Sequence, residues 1–303
     1  MRINTKIKIG NIEMKNPVAV ASGTFGYGDE FEGLTDIKSL GAIVTKTITL
    51  HARVGNKPPR VTETPAGMLN SIGLENPGVE RFLKEKMPSL VKFKIPIIVS
   101  IAGESTEEYA EIAKRLDSVR EIDGIEINIS CPNIQTNELI AQNEILTAEV
   151  VKSVKSVTKK TVITKLSPNV TNIVSIAKAA ESAGTDAISL INTITAMAVD
   201  IKTRESRLGN ITGGLSGPAI KPIALHMVWK VYRSVGIPII GMGGIMDWKD
   251  ALEFILCGAK AVMVGTANFV NPDAAGEIIT GIENYLKSAR AQDISGLVGK
   301  LRV

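Results

Sequence analysis

The stretch 238–269, PIIGMGGIMDWKDALEFILCGAKAVMVGTANF, carries the pattern from which the fold is inferred. Two runs of strand length, Pro238–Met242 and Ala261–Val264, are almost continuously apolar. Such runs are typical of strands buried on both faces of a parallel sheet. Between them, Trp248–Leu256 has helical periodicity and follows Asp247, a residue type that commonly caps the first turn of a helix. The stretch is therefore interpreted as a strand–helix–strand unit of an α/β protein.

The same alternation recurs along the chain. Six further apolar runs precede the stretch, at Pro17–Ala21, Ala42–Lys46, Pro96–Ile101, Gly124–Ile129, Thr161–Leu166 and Ala187–Ile191. Segments with helical periodicity separate most of them, including Glu107–Leu116, Ala148–Val157 and Asn172–Ser182. Eight such units predict a (β/α)₈ TIM barrel, which typically needs ~250 residues, and we expect residues 1–303 to form one domain. An open, doubly wound sheet is the alternative.

Three segments interrupt this repeat. Residues 3–15 alternate like a hairpin with Gly10–Asn11 as its turn, and we expect them to plug the bottom of the barrel. Residues 50–80 and 195–217 are long, rich in Gly, Pro, Asn and Thr, and emerge at strand ends. Long loops in a compact domain are usually functional, so we expect both at the C-terminal face of the barrel.

Composition excludes several classes of protein. With 44% hydrophobic and 22% charged residues, the chain has the composition of a globular protein. The net charge of +4 is scattered, and its densest basic run, Lys152–Lys160, has the spacing of a solvated helix face, so no nucleic-acid partner is expected. No apolar run approaches the ~20 residues of a membrane span, and the N-terminal segment lacks a signal-peptide core. Because the chain has only two cysteines, we expect a cytoplasmic protein with reduced thiols.

Polar and glycine residues follow the predicted strands at their C-terminal ends. These residues are Ser22, Gly23, Lys46, Thr47, Ser100, Asn128, Cys131, Lys165, Asn192, Thr193, Gly243, Gly244, Gly265 and Thr266. In a barrel all these ends meet at one face, where the chemistry takes place. Two lysines at the ends of apolar strands favour an anionic ligand over side chains that merely extend to solvent.

The glycines indicate a phosphate site. Gly243–Gly244 and Gly265–Thr266 precede predicted helices, as do Gly214 and Gly217 in the loop Thr212–Pro222. Glycine lets the backbone approach a phosphate closely, and helix N-termini offer N–H groups to it. The loops after strands seven and eight are the usual phosphate site of barrels, although glycines that serve only as turn residues are the alternative.

Lys165 and Cys131 are the residues best suited to chemistry. A lysine at the centre of the mouth suits an electron-rich ring such as a reduced flavin, although a phosphorylated substrate fits the glycines equally well. Cys131 is a candidate base, because an electropositive site favours the thiolate; the alternative is a small buried residue. His51 and His226 lie away from the strand ends and far apart in sequence, and no Cys-x-x-Cys pair exists, so no metal site is expected. Cys257 is expected to pack at an apolar helix end.

Several motifs together resemble the class 1 dihydroorotate dehydrogenases, and are most similar to class 1B, the FMN-bearing catalytic subunit. The motifs are NPVAVASGTFGYG (16–28), KTITLHARVGNKPPRVTETPAGMLNSIGLENPG (46–78), NISCPN (128–133), INTITAMAVDIKTR (191–204), GGLSGPAIKP (213–222) and GMGGIMDWKDALEFILCGAKAVMVGTA (241–267). They cover nearly the whole chain.

The resemblance implies FMN in the barrel mouth and oxidation of (S)-dihydroorotate to orotate in de novo pyrimidine biosynthesis. It implies flavin contacts at Ser22, Lys46, Thr47, Ser100, Asn128, Lys165, Ile191, Gly217, Gly243, Gly244, Gly265 and Thr266. It implies substrate contacts at Lys46, Asn70, Ser71, Ile72, Gly73, Leu74, Asn128, Asn192 and Thr193. Cys131 matches the base that removes the C5 proton while hydride passes from C6 to the flavin.

The resemblance also implies a partner. An iron–sulfur/FAD subunit would carry the FAD and the 2Fe–2S cluster and pass electrons to NAD⁺, in a heterotetramer built on a homodimer of this chain. Two positions depart from the family. Ser100 is shorter than the amide expected there, and the loop IQTNELIAQNE (134–144) replaces a glycine-rich stretch.

Three other functions remain possible at this point. One is a stand-alone class 1A enzyme that uses fumarate as its electron acceptor. Another is a related FMN barrel that acts on another pyrimidine. The third is a barrel that binds a phosphate ligand without catalysis.

Overall fold

The computed structural model describes residues 3–130 and 139–302. Its strands are β1 Ile7–Ile9, β2 Ile12–Met14, β3 Val18–Val20, β4 Ala42–Val44, β5 Val61–Thr64, β6 Gly67–Asn70, β7 Ile97–Ile101, β8 Gly124–Asn128, β9 Thr161–Leu166, β10 Ala187–Leu190, β11 Ile194–Ala196, β12 Val199–Asp200, β13 Glu205–Ser206, β14 Gly213–Ser216, β15 Ile239–Met242 and β16 Ala261–Val264. Its helices are α1 Gly78–Arg81, α2 Met87–Val91, α3 Thr106–Asp117, α4 Glu144–Val157, α5 Ile173–Ser182, α6 Lys221–Tyr232, α7 Trp248–Leu256, α8 Ala267–Val270 and α9 Ala274–Ser288. A π-helical turn, Phe82–Lys86, joins α1 to α2.

Eight parallel strands close into the predicted barrel, in the order β3-β4-β7-β8-β9-β10-β15-β16. The ring closes because β16 pairs with β3, which rules out the open sheet. Every strand of the barrel begins and ends within two residues of its predicted bounds. Their side chains are buried along their whole length, because the helices cover the outer face and the barrel interior is packed.

Polar side chains define where several helices begin. Asp247 and Asp250 form a capping box at the start of α7, and Ser105 accepts a hydrogen bond from the backbone N–H of Glu108 in α3. The fourth helix begins at Glu144, four residues before its predicted start, because the Asn143 side chain accepts hydrogen bonds from the first turn. None of the helices in the described ranges is both long and apolar enough to cross a bilayer.

The N-terminal hairpin closes the bottom of the barrel, as predicted. Strands β1 and β2 are joined by Gly10–Asn11, and Gly10 has a φ of 54°, which a non-glycine residue rarely adopts. The backbone N–H of Asn11 donates to Oγ1 of Thr161, the first residue of β9, at 2.9 Å. The fully buried Ile9 therefore lies at the N-terminal end of the barrel strands, opposite the mouth.

The two segments expected to be long loops, 50–80 and 195–217, instead share a sheet. An antiparallel sheet in the order β11-β14-β6-β5 brings parts of both segments together, and β12 pairs with β13 in a separate small hairpin. These strands are two to four residues long and lack apolar alternation, so local sequence does not reveal them. The pairing of β6 with β14 joins Asn70 to Gly214 and links the ends of two distant barrel units over the mouth.

Candidate active site

The mouth of the barrel contains a cavity of about 470 Å³, a size typical of cofactor and substrate sites. Nearly all of the predicted site residues in the described ranges line it. These residues are Ser22, Lys46, Thr47, Asn70, Ser71, Ile72, Gly73, Leu74, Asn128, Lys165, Ile191, Asn192, Thr193, Gly217, Gly243, Gly244, Gly265 and Thr266. Strand ends and the small sheet thus bring together residues that lie more than 200 positions apart in sequence.

One wall, which we call the glycine side, consists of Gly217, Gly243, Gly244 and Gly265. The first three have φ values of 96°, 122° and 77°, a region that favours glycine. A Cβ atom on Gly244 would lie 2.8 Å from the carbonyl oxygen of Gly217 and 2.8 Å from the backbone nitrogen of Lys221. These glycines therefore allow two backbone segments to pass closely beside the cavity.

The N-terminus of α7 was expected to offer N–H groups to a phosphate, but the capping box of Asp247 and Asp250 uses several of them. Oδ1 of Asp247 accepts from the N–H groups of Lys249 and Asp250, and Oδ2 of Asp250 accepts from those of Met246 and Asp247. Most of the N–H groups at the start of this helix, which were expected to be open to a phosphate, are therefore engaged within the capping box. A phosphate on this wall would be bound by the glycine loop that precedes the helix.

Two lysines supply positive charge, in different surroundings. The ammonium of Lys165, whose residue is only 4% exposed, donates to Oγ of Ser22 at 3.0 Å and lies 3.7 Å from a carboxylate oxygen of Glu126. Lys46 is half-buried on the cavity wall, and within residues 3–130 and 139–302 it pairs with no carboxylate. Glu126 thus gives Lys165 a carboxylate counter-ion beneath the cavity, whereas no described carboxylate pairs with Lys46.

A second wall, which we call the amide side, consists of Asn70, Asn128 and Asn192. The amide of Asn192 donates to Oγ of Ser130 at 2.7 Å and to Oδ1 of Asn128 at 3.3 Å. That of Asn70 donates to the carbonyl of Gly214 at 3.2 Å, across the pairing of β6 with β14. Oriented amides of this kind can recognise both donors and acceptors of a polar ring.

A second layer of asparagines, which the sequence analysis missed, bonds to Leu74 and Thr193, which line the cavity together with the amide side. Asn76 is buried; it accepts from the backbone N–H groups of Thr49 and Gly78 and donates to the carbonyl of Leu74 at 2.7 Å. Asn169 donates to the carbonyl of Thr193 at 3.0 Å. The one feature of the sequence that could have indicated Asn169 is its place just after the C-terminal end of β9, where site residues of a barrel occur.

Ser100 and Cys131 are the two predicted site residues that are not seen on the wall. Ser100 is fully buried beneath the mouth, where Oγ lies 2.9 Å from Oγ1 of Thr47 and donates to Glu126 at 3.1 Å. Ser100 is not one of the described residues that line the cavity, so its contact with a ligand stays a prediction. Cys131 lies outside the described residues, although Asn128 and Ser130, just before it, line the cavity.

The remaining titratable candidates lie elsewhere. His51 and His226 are exposed and outside the mouth. Burial and, second, the nearby Glu253 raise the pKa of the Cys257 thiol at the end of α7. No group of three His, Cys, Asp or Glu side chains that could hold a metal ion occurs in the part of the chain that the structure describes.

Comparison with known proteins agrees with this geometry. A family model described as "Dihydroorotate dehydrogenase" matches residues 4–286. The chain is 53% identical over 300 residues, 99% of its length and 98% of the relative's, to a protein of Desulforudis audaxviator named "Dihydroorotate dehydrogenase B (NAD(+)), catalytic subunit". Proteins with the same name from Desulforamulus reducens and Geotalea daltonii are 54% identical (99% of each chain) and 51% identical (98% of each chain).

Proposed function

The chain belongs to the dihydroorotate dehydrogenase family, and from that membership we propose that it oxidises (S)-dihydroorotate to orotate in pyrimidine biosynthesis, with FMN in the barrel mouth. The observation that carries the proposal is the composition of one cavity. It combines a glycine wall for a phosphate, a buried lysine, a lysine that pairs with no described carboxylate, and a wall of amides. A class 1A enzyme that uses fumarate is not favoured, because the relatives named above are all NAD(+) catalytic subunits.

The glycine side and the cavity floor fit FMN. Gly217, Gly243 and Gly244 lack side chains that would occupy the space beside the backbone, where a phosphate could bind. A Cβ atom at Gly244 would meet the backbone of Gly217 and Lys221. Lys165 presents a positive charge to the cavity, which suits a ring that gains negative charge on reduction. When bound, FMN would accept the hydride that leaves C6 of the substrate.

The amide side and Lys46 fit the substrate. Dihydroorotate carries a carboxylate and a cyclic urea, and Lys46 is a half-buried cation without a carboxylate partner in the described ranges. The amides of Asn70 and Asn128 can donate to urea carbonyls, and the amide oxygens of this side can accept from urea N–H groups; both N–H groups of Asn192 are already bonded to Ser130 and Asn128. Ser71–Leu74, Thr193 and the backbone around them would complete this side of the pocket.

Cys131 is proposed as the base that takes the C5 proton. Lys165 is paired with Asn128, the last residue of β8, and Lys46 lines the same cavity; positive charge favours the thiolate that a base requires. No histidine or carboxylate among the predicted strand-end residues competes for the role. A serine hydroxyl in its place would be a far weaker base at neutral pH.

The proposal extends to the electron acceptor. The printed names of the relatives, with their "catalytic subunit" and NAD(+), support a partner subunit. We propose that this partner contains FAD and a 2Fe–2S cluster, passes electrons to NAD⁺ and binds a homodimer of this chain in a heterotetramer. The site of the reaction is proposed to be cytoplasmic.

An anaerobic titration of the purified chain with dihydroorotate tests the proposal. We expect the visible flavin absorption to bleach, and we expect Cys131→Ser to retain the flavin but to bleach at least ~100-fold more slowly at neutral pH. A flavoprotein that does not bleach would reject the substrate, and a colourless chain that FMN cannot reconstitute would reject the enzyme. Turnover with fumarate but not with NAD⁺ and the partner would reject the proposed acceptor.

A further inference from the structure

Strand β8 contains one charged residue, and its neighbours on both sides are apolar. Glu126 lies between Ile125 and Ile127, and its side chain is fully buried inside the barrel. Transfer of a carboxylate into a protein interior is costly unless partners compensate for the lost water. The sequence itself signals this residue, since a glutamate in a strand that is buried on both faces needs an explanation.

The partners of Glu126 come from three other strands. Its Oε1 accepts from Oγ of Ser100 on β7 at 3.1 Å and lies 3.7 Å from the ammonium of Lys165 on β9. Its Oε2 accepts from Oγ of Ser189 on β10 at 3.0 Å. Both carboxylate oxygens are therefore engaged, and the group is held in one orientation across the interior of the barrel.

Two short chains of contacts lead from Glu126 to the cavity wall. One passes through Lys165 to Ser22, and the other passes through Ser100 to Thr47. Lys165, Ser22 and Thr47 line the cavity, whereas Glu126 and Ser100 do not. Any influence of Glu126 on a ligand thus acts through the residues above it.

We propose that Glu126 is a positioning residue that serves as the internal counter-ion of Lys165. It directs the ammonium towards Ser22 and lowers the positive potential at the floor of the cavity, an effect that is strong where water is excluded. The inference rests on the proposed function, because its consequence would concern the flavin ring that Lys165 is proposed to contact. It also accounts for the difference between the two lysines: no described carboxylate pairs with Lys46, which suits an anionic substrate, whereas Lys165 would face the flavin ring, whose charge changes during turnover.

The reduction potential of bound FMN measures this effect. Glu126→Gln keeps the shape of the side chain and removes its negative charge, so the more negative reduced flavin should be stabilised. We expect the equilibrium between reduced and oxidised flavin to shift about tenfold towards the reduced form, which is about 30 mV for a two-electron couple. An unchanged or lower potential would overturn the proposal.

A second measurement needs no cofactor. Glu126→Gln leaves a buried ammonium without its counter-ion, whereas Glu126→Gln combined with Lys165→Met leaves no charge to compensate. In urea unfolding of the full chain without added FMN, we expect the midpoint of the double variant to exceed that of Glu126→Gln. Lys165→Met is the other single variant of the cycle; losses that add in the double variant would show that the two residues act independently and would overturn the inference, even if FMN binds as proposed.

Thr164→Val provides a matched control. Thr164 is fully buried next to Lys165 on β9, but successive side chains of a strand point to opposite faces, and its hydroxyl lies 2.9 Å from that of Thr185. The variant should lower the urea midpoint and leave the flavin potential unchanged. If it shifts the potential as much as Glu126→Gln does, general loosening of the barrel explains both and the proposal fails.

A chain that never binds FMN would reject the proposed function, and the unfolding cycle would still decide whether Glu126 and Lys165 are paired.

Discussion

The glycine side and the amide side of the cavity are built in opposite ways. On the glycine side the backbone itself forms the wall, and Gly244 brings the segment after β15 against Gly217 and Lys221. On the amide side the wall consists of side chains that other side chains hold, as Ser130 holds Asn192. The first wall should therefore fail when a single carbon atom is added, whereas the second should fail when a supporting group is removed.

The largest effect is expected for Gly244→Ala. The residue has a φ of 77°, and a methyl group there would lie 2.8 Å from two backbone atoms, so the loop must move. We expect the purified variant to lose its flavin, which the ratio of visible to ultraviolet absorption measures. Gly236→Ala is the control, because a Cβ atom there meets only Glu181, at 3.6 Å, and should leave the flavin bound. Full flavin occupancy in Gly244→Ala would contradict a wall built from backbone.

Lys46→Ala tests the positive charge that Lys46 brings to the cavity beyond the glycine side. A charged hydrogen bond contributes about 1.5–3 kcal/mol, so its loss should raise the KM for dihydroorotate roughly 10- to 150-fold. The resemblance also implies a flavin contact at Lys46, so KM is measured with FMN in excess; the glycine side is untouched and should still bind the flavin. Lys38→Ala, at an exposed position, removes the same charge far from the mouth and should leave KM unchanged. An unaltered KM in Lys46→Ala would mean that the carboxylate binds elsewhere.

The two walls also differ in how far the sequence predicts them. The barrel strands and the glycines are local signals: an apolar run ends and a glycine follows it, so both were predicted from their own neighbours. The supporting asparagines are not local, since Asn76 bonds to Thr49, 27 residues away, and Asn169 to Thr193, 24 residues away. The small sheet over the mouth is less local still, because the pairing of Asn70 with Gly214 joins strands of four residues.

Asn76→Ala measures what this second layer contributes. Its loss leaves the buried N–H groups of Thr49 and Gly78 without their acceptor, which costs roughly 1–3 kcal/mol of stability in urea unfolding. The carbonyl of Leu74 is released as well, so KM should rise several-fold while the flavin stays bound. Asn76→Asp keeps the acceptor and should recover part of the stability but not the KM, because it cannot donate to Leu74. A destabilised variant with a normal KM would show that the bond from Asn76 to Leu74 does not affect substrate binding.

Cys257→Ala should have the smallest effect on turnover, and it leaves Cys131 as the only thiol that a reagent can modify. Burial raises the pKa of the Cys257 thiol, so less of it is ionised at neutral pH than of an ordinary cysteine, and alkylation should be slow until the pH is raised. We expect the variant to turn over like the wild type. Its one remaining thiol is Cys131, and alkylation should then abolish turnover at a rate that falls when orotate occupies the amide side. If orotate gives no protection, Cys131 does not face the substrate and the base must be sought elsewhere in the mouth.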